Sequence, residues 1–187
     1  MKYTLLVFLL LIILACNREE PVSHKHEHIN KAENDAFFPE YEHGDVKPDT
    51  LYLDVRLDNC GEWGGPLEKF RMYVNSQEQY MLEYKRYRFN CDSISAYYGL
   101  KNKPLEYKTT IALTARDKKT ISDFLENLIE AKISEQVYSN AGSTYHLHNN
   151  DSTLNVAVYS EKEKVMEDFY YFKFMLGFLN TEESKMK

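Results

Sequence analysis

The sequence predicts an α+β domain: an antiparallel β-sheet with two helices packed on one face, in two layers. Three observations carry this. From Leu51 to Asp58 apolar and polar residues alternate with period two; from Ile121 to Ile129 the apolar residues recur with helical spacing; and a second helical seam runs from Val165 to Leu179. A run of strands followed by helix, hairpin and helix suits a sheet covered on one side.

In the first strand, Leu51, Leu53, Val55 and Leu57 share one face, and Tyr52, Asp54, Arg56 and Asp58 the other. A second strand is expected from Lys69 to Asn75, with Phe70, Met72 and Val74 inward. After the polar turn Ser76-Gln77-Glu78, the third strand has an apolar phase of Tyr80, Leu82, Tyr84 that slips to Tyr87, Phe89, Cys91. A one-residue slip predicts a bulge near Lys85-Arg86. Tyr107, Thr109, Ile111 and Leu113 then mark one face of a fourth strand.

The first helix is read from Ile121, Phe124, Leu125, Leu128 and Ile129, with Thr114 and Asp117 spaced as a capping box at its start. Thr144 to His148 and Thr153 to Tyr159 form a hairpin through Asn149-Asn150-Asp151-Ser152. Ser160 with Glu163 opens the second helix, whose seam is Val165, Phe169, Phe172, Leu176 and Leu179. No internal repeat is evident.

Ahead of the domain, residues 1–16 state an address. A basic Lys2 precedes an apolar run from Leu5 to Leu14, about ten residues against the ~20 that span a bilayer as a helix, so the run reads as the core of a secretory signal peptide. Ile13-Leu14-Ala15-Cys16 resembles the lipobox of bacterial lipoprotein precursors. The resemblance covers only this end of the chain. It implies that Cys16 is lipidated and becomes the mature N-terminus, holding the protein to a membrane by two or more acyl chains, each buried methylene contributing roughly 0.8 kcal/mol. Asn17 in place of an aspartate implies release toward the outer membrane, and Asn17-Arg18-Glu19-Glu20 is similar to an acidic signal that sends some lipoproteins to the cell surface. The expected address is therefore the outer membrane, on its surface or its periplasmic face.

This divides the chain into a removed leader (1–15), a flexible tether (16–48), one domain (49–180) and a tail (181–187). Glu, Asn, Lys and His dominate the tether and prolines interrupt it, while Phe37 and Phe38 are expected to dock on the domain. The formal net charge of −6 argues against a nucleic-acid partner.

Two thiols remain once Cys16 is lipidated. Cys60 and Cys91, an even pair in an oxidising compartment, are expected to form a disulfide worth roughly 3.7 kcal/mol in the chain-entropy estimate. The alternatives are buried free thiols or a zinc site with His146 and His148, which share a strand face. The loop Asn59-Cys60-Gly61-Glu62-Trp63-Gly64-Gly65-Pro66 holds the only tryptophan. Glu62 and Trp63 there are candidates to present an acid and an aromatic plate to a ligand, unless Trp63 folds back as a core plug. Asp54 and Arg56 are candidate ligand contacts too, although a same-face ion pair explains them more simply.

His24, His26 and His28 alternate in the tether beside Glu27, a pattern that wraps a borderline metal or merely stays solvated. Nucleophile-elbow, zincin, P-loop and dinucleotide signatures are absent, so neither catalysis nor a cofactor is expected. The expected function is a lipid-anchored, non-catalytic domain that binds a partner protein or envelope ligand. A metal-handling lipoprotein is the alternative.

Overall fold

The computed structural model describes residues 36–39, 48–60, 65–89, 91, 104–134, 142–160 and 163–179. All lie within the compact unit Asn34–Lys187. The elements run β1 (Leu51–Arg56), β2 (Leu67–Val74), β3 (Tyr80–Tyr87), β4 (Leu105–Ala112), α1 (Ala115–Ile133), β5 (Ser143–Asn149), β6 (Asn155–Ser160) and α2 (Glu163–Met175). They form the two-layer α+β domain that the periodicities predict. The six strands make one antiparallel sheet in the order β4-β3-β2-β1-β5-β6.

The chain meanders from β1 out to the β4 edge, and α1 then carries it back so that β5 pairs with the far side of β1. Thr114 caps α1 as expected: its hydroxyl accepts from the Asp117 backbone N–H while the Asp117 carboxylate accepts from the Thr114 backbone N–H. Ile121, Phe124, Leu125 and Leu128 of α1 are buried with Leu53, Val55, Phe70, Leu82, Tyr145 and Leu147 of the sheet and with Phe169 and Phe172 of α2. Phe38 joins this core at 3 % exposure, set edge-on to Tyr80, whose hydroxyl donates to the Pro39 carbonyl. The expected docking of the Phe37-Phe38 segment is therefore observed.

The bulge expected near Lys85-Arg86 is present as a register slip beside Arg86 and Tyr87, its extra residue being Glu106 on β4: Arg86 faces Tyr107 and Tyr87 faces Leu105, while β2 and β3 pair without interruption. Two local expectations need correction. β3 ends at Tyr87, so the apolar phase through Phe89 and Cys91 belongs to the chain beyond the strand. The seam of α2 also stops short of Leu179. Gly177 takes φ +74, the Phe178 amide donates to the Lys173 carbonyl and the Gly177 amide to that of Phe174, a Schellman termination. The reversal stacks Phe178 on Tyr84 with ring centroids 4.7 Å apart, and Leu176 and Phe178 are buried where helical extrapolation puts Leu179.

Candidate functional site

Both helices cover the same face of the sheet, so the candidate site is the other face. Strand alternation sends Tyr52, Asp54 and Arg56 of β1, Lys69, Arg71 and Tyr73 of β2, and Glu83 and Lys85 of β3 to that side. In register with them come Lys108 and Thr110 of β4, His146 and His148 of β5, and Ala157 and Tyr159 of β6.

The two candidate contacts on β1 behave differently. Asp54 pairs across the strands with Lys69, Oδ2 to Nζ 2.7 Å, and not along its own strand with Arg56. The expected Asp54–Arg56 ion pair is thus replaced, because directly opposed positions on neighbouring strands bring side-chain ends closer than positions two apart on one strand. Arg56 remains exposed, with no carboxylate partner among the described residues. Arg71 likewise lacks one and lies over the Tyr73 ring, 4.5 Å from its centroid.

Toward the β4 edge, Glu83 accepts from Lys85 at 2.6 Å and Lys108 at 2.8 Å. Those bonds, Lys108's first, hold the Glu83 carboxyl below its ordinary 4.5, and the same contact raises Lys108. Toward β5, the Tyr52 ring stacks on His148 at 5.0 Å, and its hydroxyl donates to Asn150 Oδ1, which is tied in turn through Nδ2 to Asp49. His146 shares a 2.8 Å hydrogen bond with Asn155, its ring 4.7 Å from that of His148.

Cys60 and Cys91 form the expected disulfide, with Cα atoms 5.5 Å apart. Their thiols are thereby withdrawn from any zinc site with His146 and His148. Among the described residues no group of three or more His, Cys, Asp or Glu is placed to hold a metal ion. Glu62 and Trp63 lie outside the described residues, as do Cys16 and the tether histidines. Gly65, at the end of that loop, is described: a Cβ there would collide with the Leu57 carbonyl, so the close approach of backbone requires glycine.

Sequence reasoning missed the most unusual polar group in the domain. Glu68 on the inner face of β2 and Lys173 on α2 form an ion pair at 2.8 Å, with exposures of 2 % and 1 %, and the Tyr84 hydroxyl donates to the second Glu68 oxygen at 2.7 Å. A signal existed. Glu68 precedes Phe70 and Met72 in the inward phase, and Lys173 falls on the stripe of Phe169, Phe172 and Leu176, so two core positions carry opposite charges. Nearby, the Tyr145 hydroxyl is buried with no partner in hydrogen-bonding geometry among the described residues, and burial pushes the phenol well above its usual range, with Tyr170 adding to the rise and the nearby Ser143 hydroxyl opposing it.

The helix-covered face thus holds its polar groups in the core, and the exposed face displays a cross-braced array of cations, tyrosines and histidines. No protein-family model matches the chain, and no curated protein matches it either.

Proposed function

We propose that the chain is a lipid-anchored, non-catalytic protein of the outer membrane, on its surface or its periplasmic face, whose open sheet face binds a partner protein or an envelope ligand. The observation that carries this reading is one-sided coverage. Two helices close one face, while on the other Tyr52, His146, His148, Lys69 and Arg71 are already held by their neighbours, which lowers the ordering cost of binding. The lipobox at Cys16 supplies the membrane attachment.

Two measurements test this. Cys16→Ser is expected to abolish maturation and membrane partitioning; normal processing with wild-type partitioning overturns the lipoprotein part. A photo-crosslinking residue in place of Thr144, on the open face, is expected to trap a discrete adduct in cells, whereas one in place of Glu126, exposed on α1, traps none. Equal yields from both positions overturn the assignment of the face.

Metal handling is the second reading, favoured by the adjacent rings of His146 and His148. It requires the pair to bind zinc, nickel or copper with further ligands from outside the described residues.

A further inference from the structure

Over β1 to β4, the open face has a charge of the opposite sign to the chain. On these strands the cations Arg56, Lys69, Arg71, Lys85 and Lys108 stand against two carboxylates, Asp54 and Glu83, in a chain of formal net charge −6. Asp54 and Glu83 are consumed in bracing the three lysines. Arg56 and Arg71 are left with no carboxylate partner among the described residues. Each presents a planar fork matched to carboxylate geometry.

An exposed aromatic ring lies in line with one of these forks. The register Arg56↔Thr144↔Tyr159 puts Arg56, a short threonine and Tyr159 side by side on β1, β5 and β6. Tyr159 is 44 % exposed, and two strand spacings separate it from Arg56 by about 10 Å. A ring and a guanidinium thus stand on either side of a short side chain. Along the strands, Arg71 stands opposite Tyr52, four residues from Arg56, or about 14 Å away.

We infer that this face binds an acidic polysaccharide, a uronate-bearing chain whose carboxylates pair with Arg56 and Arg71 and one of whose sugar rings stacks on Tyr159. A uronic acid carries its carboxylate directly on the ring, so stacking and ion pairing come from the same or adjacent sugar units along this row. Backbone N–H and C=O groups in the middle of the sheet are already used in its ladders, so an extended polypeptide cannot be taken up there as an added strand. The tyrosines in the centre are covered, Tyr52 by His148 and Tyr73 by Arg71. That leaves little of the desolvated aromatic anchor surface on which protein partners depend. A hydrated polyanion needs no such anchor.

This inference rests on the open face being the binding face. Its test is binding of the mature chain in detergent to polygalacturonate, with neutral dextran and poly-L-glutamate as comparisons. Polygalacturonate is expected to bind, more weakly as salt rises, and dextran is not. Arg56→Gln with Arg71→Gln is expected to weaken binding at least tenfold and flatten the salt dependence. Tyr159→Ala is expected to weaken it several-fold with the salt dependence retained. Unchanged melting temperatures establish that both variants are folded. No binding of polygalacturonate, or an unchanged affinity in the double variant, overturns the inference; equal binding of poly-L-glutamate overturns it in favour of an acidic protein partner. If polygalacturonate fails while the adduct from position 144 persists, the glycan is wrong and the binding face stands. If both fail, the face itself is wrong.

Discussion

Replacing Lys173 by Met tests the core directly. Methionine keeps most of the apolar stem among Phe169, Tyr84 and Tyr170 but removes the ammonium 2.8 Å from Glu68, leaving a carboxylate with 2 % exposure. The Tyr84 hydroxyl still donates to it, and one neutral hydrogen bond does not replace a counter-charge. Breaking a buried pair from one side destabilises by about 3–5 kcal/mol, because the surviving charge is left without compensation. Against a net stability on the order of 5–15 kcal/mol this is a large fraction. In a domain of this size it lowers the melting temperature by about 6–20 °C. Urea denaturation is the sharper assay, since a fall in the midpoint with unchanged slope isolates stability from any change in compactness. Removing the whole network in Glu68→Leu, Tyr84→Phe, Lys173→Met is expected to recover most of the loss, as apolar replacements of buried ion pairs commonly do. A loss below about 1 kcal/mol in the single variant refutes the reasoning, because it means that Glu68 reaches water or another cation.

Reducing the Cys60–Cys91 disulfide, or replacing both cysteines by Ser, is expected to remove up to roughly 3.7 kcal/mol, and both thiols of folded, unreduced protein are expected to resist alkylation; ready labelling of either contradicts the bond. Glu83, with its folded-state pKa held below 4.5 by Lys108 and Lys85, contributes stability that is complete above 4.5 and lost as pH falls through the lower folded value. The difference in urea midpoint between wild type and Glu83→Gln is therefore expected to shrink as pH drops below 4.5, and a difference that grows there refutes the assignment. Tyr145→Phe removes a buried hydroxyl with no partner in hydrogen-bonding geometry among the described residues and is expected to leave stability equal or raise it by about 1 kcal/mol, so a marked loss in a thermal melt means the hydroxyl has a partner, with Ser143 the nearest candidate.

Much of the fold was legible because its elements announce themselves locally. Leu51 to Leu57 alternate cleanly, Ile121 to Leu128 keep helical spacing, and the Thr114–Asp117 box marks a boundary within one turn. The misreadings arose where a decision is not local. The phase slip at Tyr84–Tyr87 marks the place of the bulge but not its owner, because a bulge belongs to a pair of strands, and here the extra residue sits on β4. Leu179 was placed in the α2 seam by extending a period past Gly177, whose left-handed backbone ends the helix. Glu68 and Lys173, 105 positions apart, each fall on an inward position of their own element, but the strand expected from Lys69 begins one residue after Glu68, and only the packing of α2 on β2 makes the two a pair.

The same non-locality hid the candidate site. Parity alone sends Asp54 and Arg56 outward, and a residue two places along the strand is the only partner that a single strand offers, so an Asp54–Arg56 pair was the natural expectation. Once β2 is laid beside β1, Lys69 stands directly opposite Asp54 and takes the carboxylate, which leaves Arg56 with no carboxylate partner among the described residues. Net charge misled in a parallel way. The −6 sums over the whole chain, whereas a ligand on the sheet responds to charges within about a Debye length, roughly 10 Å at 0.1 M salt. Within that range of Lys69 the strand order gathers Lys85 and Arg71 with the carboxylates Asp54 and Glu83, so three cations stand against two anions. An acidic total is thus compatible with a cationic face. Salt dependence measured with the Arg56 and Arg71 variants, more than any whole-chain property, decides whether that face is used.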